Sequence, residues 1–373
     1  MAHTSVQRAR VLFLVNGGPE SAIAIRARSF ASRLEDEFEI RVACRTSNKV
    51  SSIIRFVWLA IRFRPELCYV LDMGYSGVLA AGILAMLGMC QVVVDTGDAI
   101  YELSRLSGNR NRAALWLTKQ LEQFGLRISR RVVVRSHPHQ EYLARQGITA
   151  NVIPDGVDPQ QFSPQPDSGL RRQYRLEGFT VIGLLGSIIW NPRWQMCYGW
   201  ELIEVVDHLR HLPVKGLVIG DGSGMPWIQS QCAARGLTDR IVLLGRAPYE
   251  DLPPLLNLMD ICLSTQTNDL AGQVRTTGKL PLYLACGRFV LATRVGEAAR
   301  VLPAEMLLPY DGTKDTEYPG RLAARVQELL EHPETLQNGD LCRHIAQTHF
   351  DYQLLTSRLR ETIRLAIGGE GFA

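Results

Sequence analysis

The sequence lacks the residue spacings that hold metal ions and disulfide frameworks. It contains eight cysteines and eight histidines, but no two cysteines form a C-x-x-C pair. No spacing of histidine, cysteine and acidic residues is typical of a metal site, and no Ser-His-Asp arrangement can be argued. Most of the cysteines lie in apolar runs, which favours buried free thiols in a reducing cytosol over disulfides or zinc. We therefore expect no bound metal.

Three further absences exclude other classes of protein. The net charge of +4 is too weak to indicate a nucleic-acid partner. The pattern G-x-G-x-x-G is incomplete at Gly17 and Gly18, which disfavours NAD binding. Residues 1–10 are polar and lack the regions of a signal peptide, so we expect a cytoplasmic protein.

One apolar stretch, residues 74–94, is roughly long enough to span a bilayer. Glycines interrupt it, however, and its end at Val92-Val93-Val94 is typical of a strand. We predict a buried helix over residues 76–87, a turn at Gly88 and a buried parallel strand instead of a membrane span.

Length and periodicity predict two domains. A chain of 373 residues exceeds one ordinary domain, and 46% hydrophobic and 21% charged residues are typical of a soluble globular protein. Strands and helices alternate in both halves, which predicts an α/β fold: two Rossmann-like, doubly wound parallel-sheet domains facing a central cleft. A turn-rich, polar segment near residue 160 divides domain 1–160 from domain 161–349, and a last helix lies in 350–373.

Glycine turns follow several predicted strands and mark the expected cleft, because strand carboxyl ends of doubly wound domains meet there. Each turn has a simpler alternative; the turn at residues 220–222 could be only a tight turn, and the arginine at 246 could be a solvated charge. The candidate positions are Gly17, Gly18, Gly186, Gly220, Asp221, Gly245 and Arg246.

The most informative stretch is residues 275–287. Its loop offers backbone N–H groups at a helix N-terminus, where the helix dipole favours an anion, and Lys279 adds a cation. We predict a phosphate or diphosphate site formed by Arg275, Thr276, Thr277, Gly278 and Lys279.

Two strings resemble a known family. Residues 153–158 read Ile-Pro-Asp-Gly-Val-Asp, and residues 282–287 read Leu-Tyr-Leu-Ala-Cys-Gly. Both are similar to the retaining nucleotide-sugar glycosyltransferases of the GT-B fold, family-4 type (glycosyl transferases group 1). The resemblance implies transfer of a sugar from a nucleoside diphosphate sugar to an acceptor hydroxyl of a glycan, a lipid-linked molecule or a small molecule. It implies no metal and no cofactor, an acceptor-binding first domain and a donor-binding second domain, with the last helix crossing back to the first.

The resemblance also assigns roles to individual positions. Arg246 follows the turn that contacts the base, and Asp98 lies where the family places polar groups facing the donor sugar. Alternatively, Asp98 caps the helix that begins near residue 99. The family's phosphate-binding arginine and lysine fall at Ser187 and Pro192, so Arg193 is the candidate substitute, or it is a surface residue.

The chain departs from the family at its paired glutamates. Their positions hold Val274 and Leu282, which cannot bind the sugar or the ribose hydroxyls through a carboxylate. Asp269 could partly substitute, and Leu282 is expected to pack against the ribose or the helix behind it. The alternative function is therefore a catalytically impaired relative that serves as a binding or scaffold subunit. An epimerase of the same fold lacks a convincing set of cleft acids.

Two further segments have open interpretations. The helix over residues 50–63 places Phe56, Trp58 and Phe63 among arginines and could rest on an anionic membrane, or pack its aromatic residues in the core. His137 and His139 follow a strand and could reach the cleft, or serve at a helix start or the surface. We also expect Gly17, Gly18 and Asp98, with Arg26, to position the acceptor. 

Overall fold

The structure is built on two six-stranded parallel sheets flanked by helices. The computed structural model describes residues 8–108 and 110–368, and these fall into two units. Among the described residues, the first unit consists of three segments: the residues up to Gly156, Val274–Thr276, and the residues from Tyr352 onward. The second unit covers Val157–Gln273 and Thr277–Asp351. The predicted α/β class with two doubly wound sheets is confirmed.

The first sheet has the strand order 2-1-3-4-5-6, with every pair parallel. Its strands are β1 (Ala9–Val15), β2 (Phe38–Cys44), β3 (Leu67–Leu71), β4 (Gln91–Thr96), β5 (Arg131–Val134) and β6 (Ala150–Val152). The helices between and after them are α1 (Ala22–Leu34), α2 (Lys49–Phe63), α3 (Tyr75–Met86), α4 (Ile100–Ser107), α5 (Arg112–Ile128) and α6 (His137–Ala144).

The second sheet has the order 11-10-7-12-13-14, again all parallel. Its strands are β7 (Thr180–Leu185), β10 (Val214–Ile219), β11 (Ile241–Gly245), β12 (Ile261–Ser264), β13 (Phe289–Thr293) and β14 (Leu307–Leu308), and a separate hairpin pairs β8 (Trp190–Asn191) with β9 (Met196–Cys197). The remaining α-helices of the described chain are α7 (Leu170–Gln173), α8 (Trp200–His208), α9 (Met225–Ala234), α10 (Leu252–Leu256), α11 (Leu270–Val274), α12 (Lys279–Ala285), α13 (Ala298–Val301), α14 (Tyr318–Glu331), α15 (Gly339–His349) and α16 (Tyr352–Ile367). Of these, α16 belongs to the first unit.

Both faces of the first sheet are buried. Phe13 of β1 points into a core that includes Leu355 and Leu359 of α16, whereas its neighbour Leu14 points into the core with Phe56 of α2. Since side chains alternate along a strand, helices on both faces require a continuous apolar run, which the strand sequence has. The helix α16, last in the chain, thus completes the core of the first unit.

The long apolar stretch folds as predicted. It forms α3, a turn with Gly88 at φ +66°, and β4. Within residues 8–108 and 110–368, no helix has the length and apolar character needed to cross a bilayer. The β8–β9 hairpin and α15 were not predicted from the sequence, whereas the helix expected near residue 99 is α4.

Candidate functional site

Three glycine turns meet at the carboxyl edge of the second sheet. The N–H of Gly186, after β7, donates to the carbonyl of Ile219 at 3.0 Å. The N–H of Gly220, after β10, donates to the carbonyl of Gly245 at 2.8 Å. The turns after β7, β10 and β11 are therefore joined through their backbones at the edge where doubly wound sheets bind ligands.

The backbone conformation of these turns favours glycine. Gly186 and Gly220 have φ angles of +155° and +147°, and Gly245 has +73°. A Cβ on Gly220 would lie 1.9 Å from the carbonyl oxygen of Gly186, which no side chain tolerates. The missing side chains leave a bare backbone surface that a ligand can approach closely.

Asp221, which directly follows Gly220, stabilises the turn after β10. The Oδ1 atom of Asp221 accepts a hydrogen bond from the N–H of Gly222 at 2.7 Å, and its carbonyl accepts one from Ile188 at 3.0 Å. Gly222 has φ +152°, and a Cβ there would lie 2.4 Å from the carbonyl oxygen of Ile188. Asp221 thus has a structural role in the turn.

Lys279 brings a positive charge to this edge. It is the first residue of α12, and its Nζ atom lies 3.5 Å from the ring centre of Tyr198, a cation–π contact. A Cβ built on Gly186 would lie 3.6 Å from the same Nζ atom. The ammonium group therefore lies beside the first glycine turn, where the sequence analysis expected a phosphate.

A buried carboxylate near Lys279 was missed by the sequence analysis. Glu201, in the first turn of α8, is 1% exposed, and among the described residues its Oε1 atom has no hydrogen-bond partner. Burial raises the pKa of Glu201, while the nearby Thr265 hydroxyl and the charge of Lys279 act in the opposite direction. No local pattern distinguishes this glutamate from a surface residue of an amphipathic helix.

The predicted phosphate loop is divided between the two units. Arg275 and Thr276 belong to the first unit, where the Arg275 Nε atom lies 3.1 Å from Asp98 Oδ1 and the Thr276 hydroxyl donates to Asp155 at 3.2 Å. Thr277 belongs to the second unit, and Gly278 is the N-cap of α12. The helix itself has seven residues. Of the predicted loop, Lys279 is the residue that the structure brings to the glycine turns.

Asp98 does not cap the next helix, so that alternative is wrong. Helix α4 begins at Ile100, and its first amides, those of Ile100 and Tyr101, donate to the carboxylate of Glu122 at 2.8 and 3.2 Å. The capping carboxylate comes from α5, a different helix, so the residues next to the start of α4 give no indication of it. Asp98 instead pairs with Arg275.

Arg193 and Arg246 are exposed. Arg193 lies in the turn between β8 and β9, where its guanidinium stacks on Trp194 at 5.2 Å and its N–H donates to Asn191 at 3.0 Å. Within the described residues it makes no hydrogen bond or ion pair with the glycine turns. Arg246 directly follows Gly245 of β11.

The positions of the family's glutamates are buried. Leu282 is 6% exposed in the core of the second unit, and Val274 is 1% exposed, with its carbonyl accepting from the Ser136 hydroxyl at 2.5 Å. Asp269 accepts hydrogen bonds from the N–H of Gly272 at 2.9 Å and from Thr313 at 3.2 Å. Leu282 therefore packs in the core, and Asp269 is engaged by its own loop.

In the first unit, the turn after β1 is tightly packed on one side. A Cβ on Gly17 would lie 2.3 Å from the Ser21 hydroxyl, whereas one on Gly18 would have no atom within 4 Å. The Asn16 amide accepts from the N–H of Gly77 at 2.8 Å and ties this turn to α3. Gly18 is thus the open position of the pair.

Arg26 does not position an acceptor, because it is 1% exposed. Its Nε atom donates to Asp95 at 2.9 Å, and its other nitrogens donate to the carbonyls of Ile153 and Pro154. Asp95 also accepts from Arg135 at 3.2 Å. Burial alone would raise the pKa of Asp95, but Arg26 and Arg135 bring it below its ordinary value.

Comparison with known proteins finds a family and a solved structure that resemble this chain. The model of the family described as Glycosyl transferases group 1 matches residues 180–332, which include all three glycine turns and Lys279. A structure of HepE from Anabaena in complex with UDP-glucose covers 95% of this chain and 99% of that chain, with 18% identity and a TM-score of 0.74. This chain therefore has the GT-B fold of that structure, and its residues 180–332 match the family of glycosyl transferases group 1.

Two curated relatives are similar to part of this chain. A 2-deoxystreptamine glucosyltransferase of Streptomyces kanamyceticus is 30% identical over 49% of this chain and 46% of the relative. A GDP-mannose-dependent alpha-(1-6)-phosphatidylinositol monomannoside mannosyltransferase of Mycolicibacterium smegmatis is 27% identical over 57% of this chain and 55% of the relative. The chain spans about half the length of these relatives.

Other groups that the sequence singled out lie in the first unit. His139 is 2% exposed in α6, and burial lowers its pKa to about 4; His137 is the first residue of that helix. In α2, Phe56 and Phe63 are buried in the core while Trp58 is 55% exposed. Membrane contact by α2 stays a prediction. Among the described residues no three histidine, cysteine or acidic side chains are grouped to hold a metal ion.

Proposed function

We propose that this protein is a glycosyltransferase, which moves a sugar from a nucleoside diphosphate sugar to an acceptor hydroxyl with retention of anomeric configuration. The second unit binds the nucleotide and the first binds the acceptor. The observation that carries the proposal is the position of the Lys279 ammonium beside the glycine turn at residue 186. A fixed cation next to bare backbone at a sheet's carboxyl edge suits a diphosphate.

The chemistry follows from where charge develops. When the sugar leaves, the departing diphosphate gains negative charge, and a cation already in place stabilises that charge without reorganising. Lys279 is held by the ring of Tyr198, so it supplies this stabilisation, and we propose that no metal is needed. Retention, through attack on the face that the diphosphate leaves, is implied by the family resemblance.

The relatives support the donor class. One is named a glucosyltransferase and another a GDP-mannose-dependent mannosyltransferase, and the HepE structure holds UDP-glucose. We propose a hexosyl donor on this basis. These relatives are transferases, so they give no support to a non-catalytic role.

The ribose must be bound differently from the family pattern. Leu282 is in the core and has no carboxylate, and the oxygens of Asp269 are engaged within its loop. We propose that the backbone of the glycine turns, with Arg246 beside them, forms the nucleotide contacts instead. Arg193, exposed on its hairpin, is a second-rank candidate for the phosphates.

Substitution of Lys279 tests the proposal. The full chain is screened with UDP, GDP and other nucleoside diphosphates by thermal shift, since a ligand that binds the folded state raises its stability. Transfer or hydrolysis of the matching sugar donors is then measured. We expect Lys279→Ala to lower kcat by about 10²–10³, the usual loss for one charge-stabilising group.

The matched control is Lys119→Ala. Lys119 is exposed on α5, and its ammonium also lies over an aromatic ring, that of Tyr101 at 5.5 Å. It should bind and turn over donor as the unaltered protein does. Normal turnover by Lys279→Ala would show that this lysine is not part of the donor site. If no nucleotide binds and no sugar donor is turned over, the proposal that the protein is an enzyme is wrong.

A further inference from the structure

A cavity of about 220 Å³ lies at the carboxyl edge of the first sheet. Asn16 and Arg45, which directly follow β1 and β2, line it together with Lys49 and Tyr75, which begin α2 and α3. Loops after neighbouring parallel strands form ligand sites in this fold class. The cavity is smaller than the usual range of about 300–1,000 Å³ for drug-sized ligands, so it suits one small chemical group.

Three cations line this cavity without a carboxylate partner. They are Arg45, Lys49 and Arg110. Within the part of the chain that the structure describes, none of them forms an ion pair; their contacts are with neutral groups. Unpaired like charges repel each other, so their arrangement favours an anion that binds between them.

Neutral contacts fix the directions of these cations. The ring of Tyr75 lies between Lys49, whose Nζ atom is 5.2 Å from its centre, and Arg110, at 5.8 Å. Arg110 also donates to the Tyr75 hydroxyl at 2.6 Å and to Thr118 at 2.7 Å. Arg45 donates through Nε to the carbonyl of Asn16 at 3.2 Å. The cations are thus oriented before any ligand arrives.

One carboxylate, that of Glu122, lines the same cavity, but its oxygens are already hydrogen-bonded to the backbone. Both of its oxygens accept from the first amides of α4, those of Ile100 and Tyr101. Three cations against this one carboxylate leave a formal charge of 3 − 1 = +2 around the cavity.

We propose that this cavity binds a phosphate group carried by the acceptor. A phosphomonoester has a charge of about −1.5 to −2 at pH 7 and several acceptor oxygens, which matches two guanidinium groups and an ammonium. The inference rests on the proposed function in assigning the phosphate to the acceptor. It names the acceptor as a phosphorylated molecule, either soluble or lipid-borne.

Glycerol 3-phosphate is the probe, with glycerol as its neutral counterpart. Binding to the full chain is measured calorimetrically in the presence of a saturating nucleoside diphosphate. We expect glycerol 3-phosphate to bind and glycerol not to bind. The double variant Arg45→Gln/Lys49→Gln should weaken binding at least tenfold, while Arg112→Gln, which removes an exposed charge at the start of α5 outside the cavity, should not.

Folding of the variants is controlled by Lys49→Gln alone. Lys49 is exposed, so its loss leaves the fold intact, and it should still weaken binding several-fold. Vesicles separate the two sources of phosphate. Phosphatidic acid in phosphatidylcholine carries the same headgroup as glycerol 3-phosphate, and sedimentation with these vesicles but no binding of the soluble probe assigns a lipid acceptor.

The outcomes separate this proposal from the donor site. If nucleotides bind but both phosphate probes fail, or bind the cavity variants as well as the unaltered chain, the proposal is wrong. If no nucleotide binds and the phosphate probe still follows the cavity variants, the phosphate site stands and the proposed function fails.

Discussion

Two groups of basic side chains lie at the carboxyl edge of the first sheet, and their surroundings differ in kind. Arg26 and Arg135 are buried against the carboxylates of Asp95 and Asp155. The three cations of the cavity form no ion pair within the described residues. In the buried network, carboxylates of the chain itself pair with both arginines. In the cavity, no carboxylate of the described residues pairs with the cations, so their charge is available to a ligand.

This difference separates structural from functional charge. Removing one partner of a buried pair leaves an uncompensated charge that costs several kcal/mol, so the network ties its members to the fold. A cation without a carboxylate partner contributes little to folding through its charge. That charge is open to an anionic ligand, which favours a role in binding.

The largest predicted effect breaks the network. Asp95→Ala removes one of the two carboxylates that Arg26 and Arg135 share, the other being Asp155, and should lower the free energy of unfolding by about 3–5 kcal/mol. Urea denaturation followed by circular dichroism measures it. The control is Glu39→Ala, which removes a carboxylate of β2 from an exposed pair with Arg41 and should cost less than about 1 kcal/mol. Equal losses in the two variants would contradict the distinction.

The fold could be predicted from the sequence because the patterns that indicate helices, strands and turns are local. The apolar run at residues 74–94 alternates with turns in a way that only a buried helix and strand satisfy, and α3 and β4 lie where it predicted them. Short elements without a periodic pattern, such as the β8–β9 hairpin, were missed. Their existence depends on packing rather than on their own residues.

The site was less predictable, since partners come from distant positions. Arg26 was expected to help position the acceptor, yet it is buried against Asp95, which lies 69 residues away. Asp98 was considered as a helix cap, but Glu122 of another helix has that role. Lys279 could be placed because its position depends on a local strand, loop and helix pattern. Contacts between distant residues leave no such pattern in one sequence.

A second prediction concerns the pH dependence of stability that the buried His139, near Arg135, produces. His139 lies close enough to Arg135 for that charge to act on it, and burial lowers the pKa of His139 from 6.5 to about 4. Below pH 6.5 the unfolded chain binds a proton that the folded chain does not, so stability falls as the pH drops from 6.5 to 4. The total loss from this group is about 3 kcal/mol.

His139→Leu should remove this contribution while keeping the site apolar. The free energy of unfolding is measured in urea at several pH values between 4 and 7. We expect the unaltered protein to lose more stability than the variant across this range. Parallel curves would mean that the burial of His139 does not shift its pKa.

The smallest predicted effect concerns the cavity and completes the comparison. Arg45→Gln and Lys49→Gln should each change the free energy of unfolding by no more than about 0.5 kcal/mol, because neither side chain has a carboxylate partner to lose. A small gain is expected at low ionic strength, since each substitution relieves repulsion among three like charges, and salt should abolish it. Urea unfolding in low and high salt measures both. A loss of several kcal/mol from either variant would show that the cavity cations support the fold as Arg26 does, and the contrast between the two regions would then fail.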